Sequence, residues 1–250
     1  MEKRVYFISD LHLGASYIKD KAAQERHVVS WLDSIKGSAK ALYMVGDIMD
    51  YWYEYKYVVP RGYVRFLGKL AELVDRGVEV VWFKGNHDIW LFDYMQSEIG
   101  VKVVDNSLTV NIAGKIFFIA HGDGVGNHKL GFKIVRSIMR NRIVQRCYSF
   151  INPRLTIPFA KGCSKSSRDK SQGKEEQSCS STQTMLMNFS KEYLAKDNEI
   201  DYFIYGHLHV VRDLPLSEGC RFIILGDWVS KYSYGVFDGK DFKFEYYPLT

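Results

Sequence analysis

The sequence lacks several features that mark whole classes of protein. Its four cysteines include no CxxC pair, so neither a disulfide framework nor a thiolate zinc ribbon is expected. No apolar run approaches the ~20 residues that a membrane-spanning helix needs. There is no internal repeat, and ordinary shares of apolar (46%) and charged (25%) residues exclude disorder, collagen and coiled coil as whole-chain structures. The start, MEKRVYFISD, predicts a strand and no secretory signal, so we expect a cytoplasmic protein with reduced thiols.

Length and hydrophobic patterning predict one α/β domain over residues 1–250. A chain of 250 residues buries a sufficient core without cross-links. Short, nearly continuous apolar runs alternate with helical patterns at Ala22–Ile35 and Tyr63–Arg76, which is typical of a layered α/β fold with strands buried on both faces. Asp238-Gly239 predicts the turn of a C-terminal hairpin, so the sheets should be mixed. The predicted strands are Val5–Ser9, Ala41–Val45, Val78–Phe83, Lys115–Ala120, Asp201–Tyr205 and Arg221–Leu225.

Positive charge is concentrated in one segment. Residues 124–174 carry twelve Lys or Arg and one acid, a net charge of +11, although the whole chain has a net charge of only +5. Leu130–Ile151 predicts a basic amphipathic helix, Gly162–Thr184 a Ser-rich mobile loop, and Met185–Lys196 a second helix. We interpret residues 124–196 as a basic helical insertion that meets an anionic partner. The apolar stripe of its first helix comprises Val135, Ile138, Met139, Ile143, Cys147 and Ile151.

Polar side chains follow five of the predicted strands. Ligand sites in α/β folds form outside the carboxyl ends of strands, so these side chains should meet at one edge. Each motif alone is typical of a capped turn or a solvated histidine. Together they hold five of the seven histidines and predict a metal site. The motifs are Asp10-x-His12, Gly46-Asp47, Gly85-Asn86-His87-Asp88, His121-Gly122-Asp123 and Gly206-His207-Leu208-His209.

These residue types suit hydrolysis at phosphorus. Two metal ions about 4 Å apart activate a water and neutralise the charge that develops on the phosphoryl oxygens. A carboxylate must bridge them, and Asp47 is the natural candidate. Mixed Asp, Asn and His ligands suit Mn²⁺ first, and also Fe²⁺ or Zn²⁺, but not Mg²⁺ alone. We therefore expect two divalent ions as cofactors.

The five motifs, in this order and over nearly the whole chain, resemble those of the calcineurin-like metallophosphoesterases. The resemblance implies a four-layer sandwich of two packed mixed β-sheets flanked by helices, with a helical lid formed by the insertion. It implies that Asp10, His12 and His209 bind one metal, that Asn86, His121 and His207 bind the other, and that Asp47 bridges them. It also implies that His87 lies beside the scissile phosphate as electrostatic stabiliser or general acid, oriented by Asp88.

Asp50 and Asp123 each follow a predicted ligand closely. Either carboxylate could hold a ligand imidazole or a metal-bound water. A surface or capping carboxylate is an equally good interpretation of both.

Within the superfamily the chain is most similar to the UDP-2,3-diacylglucosamine hydrolases. Size, the basic insertion and the segment Leu225-Gly226-Asp227-Trp228 carry this resemblance. It implies cleavage of UDP-2,3-diacylglucosamine to UMP and 2,3-diacylglucosamine 1-phosphate, a step of lipid A synthesis. The sequence departs from that group in two places: His87 follows Asn86 where the best-described hydrolases have Arg, and the residues after Asp47 differ.

The insertion fits a lipid-linked diphosphate. Its cations would face phosphates, its apolar residues would line a groove for acyl chains, and the helix could lie on the cytoplasmic face of the inner membrane. The alternative is a solvated basic helix packed on the body by its apolar stripe. The candidate phosphate contacts are Lys133, Arg136, Arg140, Arg142, Ser167 and Arg168. The candidate apolar contacts are Phe132, Ile138, Met139, Phe150 and Phe159.

Other interpretations stay open at this point. The chain could act on a small soluble phosphoester or nucleotide, or it could be a non-catalytic scaffold, which is disfavoured because every ligand position is filled. Nucleic acid is a weaker candidate partner, since aromatic residues are not interleaved with the basic ones. The aromatic run Tyr51–Tyr57 is either packed on the body or a wall for an acyl chain or base. The oligomeric state is not predicted.

Overall fold

The computed structural model describes residues 3–126, 130–158, 162, 175–196 and 199–249. Strands and helices alternate over residues 4–104, as predicted for the early part of the chain. The strands are β1 (Arg4–Ile8), β2 (Ala39–Val45), β3 (Glu79–Phe83), β4 (Lys102–Val104), β5 (Ser107–Ile112), β6 (Lys115–Ala120), β7 (Tyr202–Tyr205), β8 (Val211–Ser217), β9 (Cys220–Leu225), β10 (Ser233–Phe237) and β11 (Phe242–Tyr246). The helices are α1 (Lys21–Ile35), α2 (Val64–Asp75), α3 (Tyr94–Ser97), α4 (Leu130–Arg140), α5 (Arg142–Ser149) and α6 (Glu175–Leu194).

The strands form two mixed sheets. The first has six strands in the order β11-β10-β1-β2-β3-β4, and the second has five in the order β5-β6-β7-β9-β8. The neighbours β1, β2 and β3 are parallel, as are β6, β7 and β9, so their carboxyl ends point the same way within each sheet. This parallel centre is what brings the predicted motifs to one edge.

Three apolar layers hold the sandwich together. Phe7, Phe117 and Phe237 lie in the layer between the two sheets, where side chains from both are almost fully buried. Trp31 of α1 and Phe66 of α2 belong to a second layer that covers the outer face of the first sheet. Leu186 of α6 belongs to a third layer, on the outer face of the second sheet. The predicted order of helix, sheet, sheet and helix is confirmed.

All six predicted strands and the two helices at Ala22–Ile35 and Tyr63–Arg76 form, with ends that differ by at most two residues. The strands that were not predicted are β4, β5 and β8, of which β4 has three residues and β8 contains Pro215 at a sheet edge, where a missing N–H is tolerated. The C-terminal hairpin is present, but its loop spans residues 238–241 and not two residues alone. The side chain of Asp238 caps this loop by accepting from the N–H groups of Lys240 and Asp241.

The basic helix predicted over Leu130–Ile151 is two helices, α4 and α5. Asn141 interrupts it with an extended backbone conformation, and its Oδ1 accepts hydrogen bonds from the N–H groups of Ile143 and Val144 at 2.8 and 3.2 Å. Asn is a strong N-cap because this side chain satisfies free N–H groups at the start of a helix, which is why α5 restarts there. Residues 153–158 are helical as well. We call α4 and α5 the lid helices.

The Ser-rich segment is not a loop throughout. Residues 175–184 of the predicted loop Gly162–Thr184 belong to α6, and residues 163–174 lie outside the described part of the chain. Ser and Thr hydroxyls inside α6 donate to carbonyl oxygens one turn earlier, Thr184 to Ser180 at 2.9 Å and Ser190 to Leu186 at 2.8 Å. Such bonds let polar side chains sit in a helix without unpaired groups. Because α6 packs on the second sheet, it is a layer of the body and not part of the lid.

No helix among the described residues is long and apolar enough to span a membrane.

Candidate metal centre

The residues predicted to bind metal leave their strands in strained backbone conformations. Asp10, His12, Asp47, His207 and His209 all have φ between +46° and +70°. Side chains other than Gly rarely adopt this left-handed region, and each such residue costs roughly 1–3 kcal/mol. Five such residues follow the carboxyl ends of strands. Their strained backbones lower the stability of the fold, and they direct the five side chains toward a common point.

Glycines let two of the loops approach each other. A Cβ on Gly85 would collide with the side chain and backbone nitrogen of Asp47, and one on Gly206 would collide with the hydroxyl of Ser9. Only hydrogen fits at either position. The loops after β3 and β7 can therefore lie directly against the loops after β2 and β1.

Asp10, His12 and His209 form the first ligand group. Oδ1 of Asp10 lies 3.7 Å from Nε2 of His12 and 3.6 Å from Nε2 of His209. The two Nε2 atoms are 3.3 Å apart. Nitrogen and carboxylate oxygen atoms thus converge on one point, as ligands of a single cation do.

Asp47, His121 and His207 form the second ligand group. Nε2 of His121 lies 3.3 Å from Oδ2 of Asp47 and 3.3 Å from Oδ1 of Asn86. The other nitrogen of this ring, Nδ1, donates to the carbonyl oxygen of Val45 at 2.9 Å. Of the two neutral tautomers, this bond selects the one in which Nε2 carries the lone pair that can bind a metal.

Asp47 lies between the two groups. Its Oδ2 is 3.8 Å from Nε2 of His12 and 3.3 Å from Nε2 of His121. It also forms a third potential ligand group with His12 and His87. The structure thus places Asp47 where the sequence predicted a bridging carboxylate.

A further observation, at Asp10, shows that these side chains suit a bound cation. Oδ1 of Asp10 is buried and has no hydrogen-bond partner among the described residues, whereas Oδ2 accepts from the hydroxyl of Ser9 and from the N–H of His207. A buried carboxylate oxygen without a donor is costly, and a bound cation removes that cost. Burial raises the pKa of Asp10, but His209 and His12 outweigh it and lower the pKa overall.

Burial and neighbouring charges shift the pKa values of several residues in the centre. Burial raises the pKa of Asp47, but His121 and His87 hold it well below its ordinary value. Burial lowers the pKa of His121, yet Asp47 raises it well above the ordinary value. Burial, followed by the nearby His121, lowers the pKa of His207 and so favours the neutral ring that binds metal. Burial and the charge of Asp47 raise the pKa of Asp88.

The carboxylate that faces the ring of His87 is Asp50. Its Oδ1 lies 3.6 Å from Nδ1 of His87 and 3.6 Å from Nδ1 of His12. Asp88, which we expected to orient His87, accepts hydrogen bonds from the N–H of Gly85, the N–H of Ile48 and the indole of Trp82. Asp88 therefore ties the loop of His87 to the loop of Asp47, and Asp50 takes the orienting position.

Asp227 is a carboxylate beside the centre to which the sequence analysis gave no role. It directly follows β9, at the same edge as the other motifs, and its Oδ2 lies 3.6 Å from Nδ1 of His209. Burial raises its pKa, but His209 and the N–H groups of Ser230 and Lys231 lower it overall. The strand-end position was the signal that could have revealed it.

The residues predicted to contact phosphate fall into three groups: those paired with carboxylates, those that are exposed, and those outside the described part of the chain. Arg136 pairs with Asp123 at 3.5 Å and Arg140 pairs with Asp105, so both already anchor α4 to the body. Asp123 therefore faces a lid cation. Lys133 and Arg142 are exposed, and Ser167 and Arg168 lie outside the described residues.

The aromatic run after Asp50 packs on the lid helices. The hydroxyl of Tyr53 donates to the carbonyl oxygen of Gln145, and that of Tyr51 lies 3.1 Å from the hydroxyl of Tyr148. Trp90, which follows the His87 loop, donates from its indole to the carbonyl oxygen of Met139 at 2.9 Å. The loops that carry Asp47 and His87 are thus followed directly by the residues that hold the lid helices in place.

The apolar stripe of the lid helices points away from the body. Of its predicted members, Val135, Ile138 and Ile143 are 60%, 50% and 73% exposed, and only Met139 packs in the aromatic cluster under the lid. Phe150 is 87% exposed, and Phe159 lies outside the described residues. The interpretation of this helix as one packed on the core by its apolar stripe is therefore wrong, because aromatic residues of other loops seat it instead.

The model of the calcineurin-like phosphoesterases matches residues 3–211. The chain belongs to that family. It is similar to the UDP-2,3-diacylglucosamine hydrolase of Porphyromonas gingivalis, with 41% identity over 96% of this chain and 95% of the relative, and to that of Vibrio vulnificus, with 26% identity over 91% and 90%. A similar solved structure is the phosphoesterase Yfce of E. coli, with a TM-score of 0.42, 16% identity and coverage of 93% and 87%.

Membership agrees with the geometry of the site. The chain is a metal-dependent hydrolase whose Asp and His groups fit a dinuclear centre.

Proposed function

We propose that this chain cleaves the pyrophosphate bond of UDP-2,3-diacylglucosamine and releases UMP and 2,3-diacylglucosamine 1-phosphate. The observation that carries the proposal is a pair of potential ligand groups with Asp47 in one of them and 3.8 Å from His12 of the other, next to lid helices whose apolar side chains are exposed. The ligand groups suit hydrolysis of a phosphoric anhydride. The exposed apolar side chains suit binding of two acyl chains. Relatives with this name, one of them 41% identical, support the same substrate.

Two divalent ions would be held by the two ligand groups, with Mn²⁺ as the first choice and Fe²⁺ or Zn²⁺ as alternatives. The first ion would take Asp10, His12 and His209, and the second would take Asn86, His121 and His207, with Asp47 between them. When bound, such ions make a water nucleophilic near neutral pH and neutralise charge on the phosphoryl oxygens.

We infer that His87 acts on the leaving oxygen. Its backbone N–H donates to Oδ1 of Asp47 at 2.8 Å, and its Nδ1 lies 3.1 Å from the carbonyl oxygen of Asp50. The remaining nitrogen, Nε2, faces the ligand groups, 4.0 Å from Oδ2 of Asp47. From there it can stabilise developing negative charge or donate a proton to the departing phosphate.

The lid helices supply a surface for the lipid part of the substrate. Their large apolar side chains are exposed at both helices, with Ile134 and Ile138 on α4 and Ile143 and Val144 on α5. A large exposed apolar patch on a protein surface commonly marks a binding site. We infer that the acyl chains lie along these side chains while the diphosphate reaches the metal centre.

The same surface suits peripheral contact with the cytoplasmic face of the inner membrane. Lys133, Arg142, Arg146 and Arg154 are exposed among the apolar side chains of residues 130–155. Each Lys or Arg near an anionic bilayer contributes about 1 kcal/mol to binding. A cytoplasmic enzyme held there would meet its lipid substrate where that substrate resides.

The test measures UMP release from UDP-2,3-diacylglucosamine in detergent micelles by the Mn²⁺-loaded protein, beside hydrolysis of bis-p-nitrophenyl phosphate. The double variant Ile143→Ser, Phe150→Ser should lose most activity on the lipid and most binding to anionic vesicles, with the small diester unaffected. The control is Leu249→Ser, which removes a leucine outside the lid that is 64% exposed, compared with 73% for Ile143 and 87% for Phe150. Equal loss on both substrates would contradict a lipid-binding role for the lid. Wild-type turnover of the small diester alone would contradict the substrate.

A further inference from the structure

Asp227 is held in one orientation by the turn that follows it. The residue is 3% exposed, and its Oδ1 accepts hydrogen bonds from the N–H groups of Val229, Ser230 and Lys231 at 2.9, 2.6 and 3.1 Å. The hydroxyl of Ser230 lies within 3.2 Å of both carboxylate oxygens. Oδ1 is thus engaged by three backbone N–H groups, whereas Oδ2 receives only the hydroxyl of Ser230 from this turn.

That second oxygen faces a predicted metal ligand. Oδ2 of Asp227 lies 3.6 Å from Nδ1 of His209. Nε2 of the same ring lies 3.6 Å from Oδ1 of Asp10 and 3.3 Å from Nε2 of His12. The imidazole therefore stands between Asp227 on one side and the first ligand group on the other.

The backbone around Asp227 also supports the first ligand group. The N–H of Trp228 donates to the carbonyl oxygen of Asp10 at 3.1 Å, and the Trp228 side chain is fully buried. Gly226 has φ of +85°, and a Cβ there would collide with Ser233. The segment is fixed on both sides of Asp227, so the carboxylate is in place before any ligand binds.

The ring of His209 is less tightly packed than the ring of His12. Its side chain is 38% exposed, whereas that of His12 is 1% exposed, so packing holds the ring of His209 less firmly. In the second group the ring of His121 is fixed by the carbonyl oxygen of Val45. Oδ2 of Asp227 is an acceptor that faces Nδ1 of His209, as the carbonyl oxygen of Val45 is an acceptor for Nδ1 of His121.

We propose that Asp227 is a positioning residue that holds the proton of His209 on Nδ1 and so leaves Nε2 as a ligand of the metal bound by Asp10, His12 and His209. A carboxylate only accepts hydrogen bonds, so it selects this tautomer and makes the opposite nitrogen more basic. The inference rests on the metal-dependent function proposed above, but not on the identity of the substrate.

The deciding variant is Asp227→Asn. Because three N–H groups converge on the position of Oδ1, the amide oxygen must take that position, and the NH₂ group then faces His209. A donor facing Nδ1 selects the opposite tautomer, in which Nε2 carries the proton and cannot bind metal. Asp227→Ser is the comparison: its hydroxyl can still cap the turn but is too short to reach His209.

Metal affinity is measured by titrating the metal-free variants with Mn²⁺, without substrate. We expect one of the two ions to bind Asp227→Asn roughly 10–100-fold more weakly and the other to bind as in the wild type. Asp227→Ser should lose less than Asp227→Asn. Two ions bound with wild-type affinity by Asp227→Asn, or a larger loss in Asp227→Ser, would assign Asp227 to turn capping alone and overturn the proposal.

A second measurement reads the tautomer itself. In the Zn²⁺-loaded wild type, nitrogen-15 NMR should show the proton of His209 on Nδ1. Excess Mn²⁺ should restore the activity of Asp227→Asn on bis-p-nitrophenyl phosphate, which a misfolded loop would not allow. A proton absent from Nδ1 in the wild type would overturn the proposal. Failure of UDP-2,3-diacylglucosamine as substrate would leave both metal readouts unchanged, so the two proposals can fail separately.

Discussion

Nδ1 of His87 lies 3.1 Å from the carbonyl oxygen and 3.6 Å from the carboxylate of Asp50. One residue thus faces Nδ1 of the His87 ring with two oxygen atoms, and Nε2 is the nitrogen left to face the ligand groups. Oδ1 of Asp50 is also 3.6 Å from Nδ1 of His12, so the same carboxylate lies beside a predicted metal ligand. His87 and the first ligand group are therefore coupled through Asp50.

Replacing His87 should separate chemistry from metal binding. In His87→Asn, kcat on bis-p-nitrophenyl phosphate should fall about 10²–10⁴-fold, because a positioned proton donor contributes that much. Both ions should still bind, as measured by the metal content after dialysis. A variant that has lost one ion would show that His87 is a ligand, in the group it can form with His12 and Asp47.

Substitution of Gly85 should damage the centre through sterics alone. Gly85→Ala puts a methyl group against the side chain and backbone nitrogen of Asp47, so the shared carboxylate must move. We expect weaker binding of both ions and at least a tenfold loss of kcat, since a misplacement of about 1 Å costs as much as 10²-fold. Metal titration and steady-state kinetics measure the two effects.

Gly68→Ala is the matched control for this change. Gly68 lies within α2, and a Cβ there meets nothing within 4 Å. Alanine is a better helix former, so the free energy of unfolding should rise by about 0.5–1 kcal/mol with activity unchanged. Equal kinetics in the two variants would contradict the steric argument.

Tyr148 should control how firmly the lid helices are seated. Its ring lies 4.6 Å from that of Trp90 and 4.9 Å from that of Tyr53, measured between centroids. Tyr148→Ala removes both contacts, each worth about 0.5–1.5 kcal/mol, so amide exchange in α5 should speed up roughly 5–150-fold. Tyr148→Phe keeps the ring and loses only the hydroxyl contact with Tyr51, so it should change exchange little. Unchanged exchange in Tyr148→Ala would show that other contacts seat the lid.

Removal of metal should lower the unfolding temperature. A ligand at 100 times its dissociation constant stabilises a protein by about 2.7 kcal/mol, which for a domain of this size is roughly 5–10 °C per ion. EDTA, which removes both ions, should therefore lower the melting temperature of the wild type by roughly 10–20 °C in a calorimetric scan. In Asp47→Ala, which lacks the shared ligand, EDTA should have a much smaller effect.

The body of the fold was predictable because its strands are buried on both faces. Runs such as Lys115–Ala120 are almost wholly apolar, and the polar residues that follow them mark the carboxyl ends of the strands. That rule selected the seven predicted metal ligands, which the structure brings close together. It did not locate Asp227, because the segment after β9 carries no histidine and was noted only for its resemblance to other hydrolases.

The lid was less predictable because its structure depends on distant residues. The apolar stripe of Leu130–Ile151 predicted a face packed on the body, yet Tyr53 and Trp90 provide the contacts and the stripe stays exposed. Arg136 and Arg140 looked free for substrate until Asp123 and Asp105 were placed beside them. Helical periodicity shows which residues share a face, but not what that face contacts.

The most direct test of the whole account compares wild type and Asp47→Ala, both supplied with Mn²⁺, in the release of UMP from UDP-2,3-diacylglucosamine. We expect rapid, stoichiometric formation of UMP and 2,3-diacylglucosamine 1-phosphate by the wild type and none by Asp47→Ala, with the variant folded by circular dichroism. Wild-type protein that binds two Mn²⁺ ions and hydrolyses a small diester, but forms no UMP from this lipid, would contradict the account.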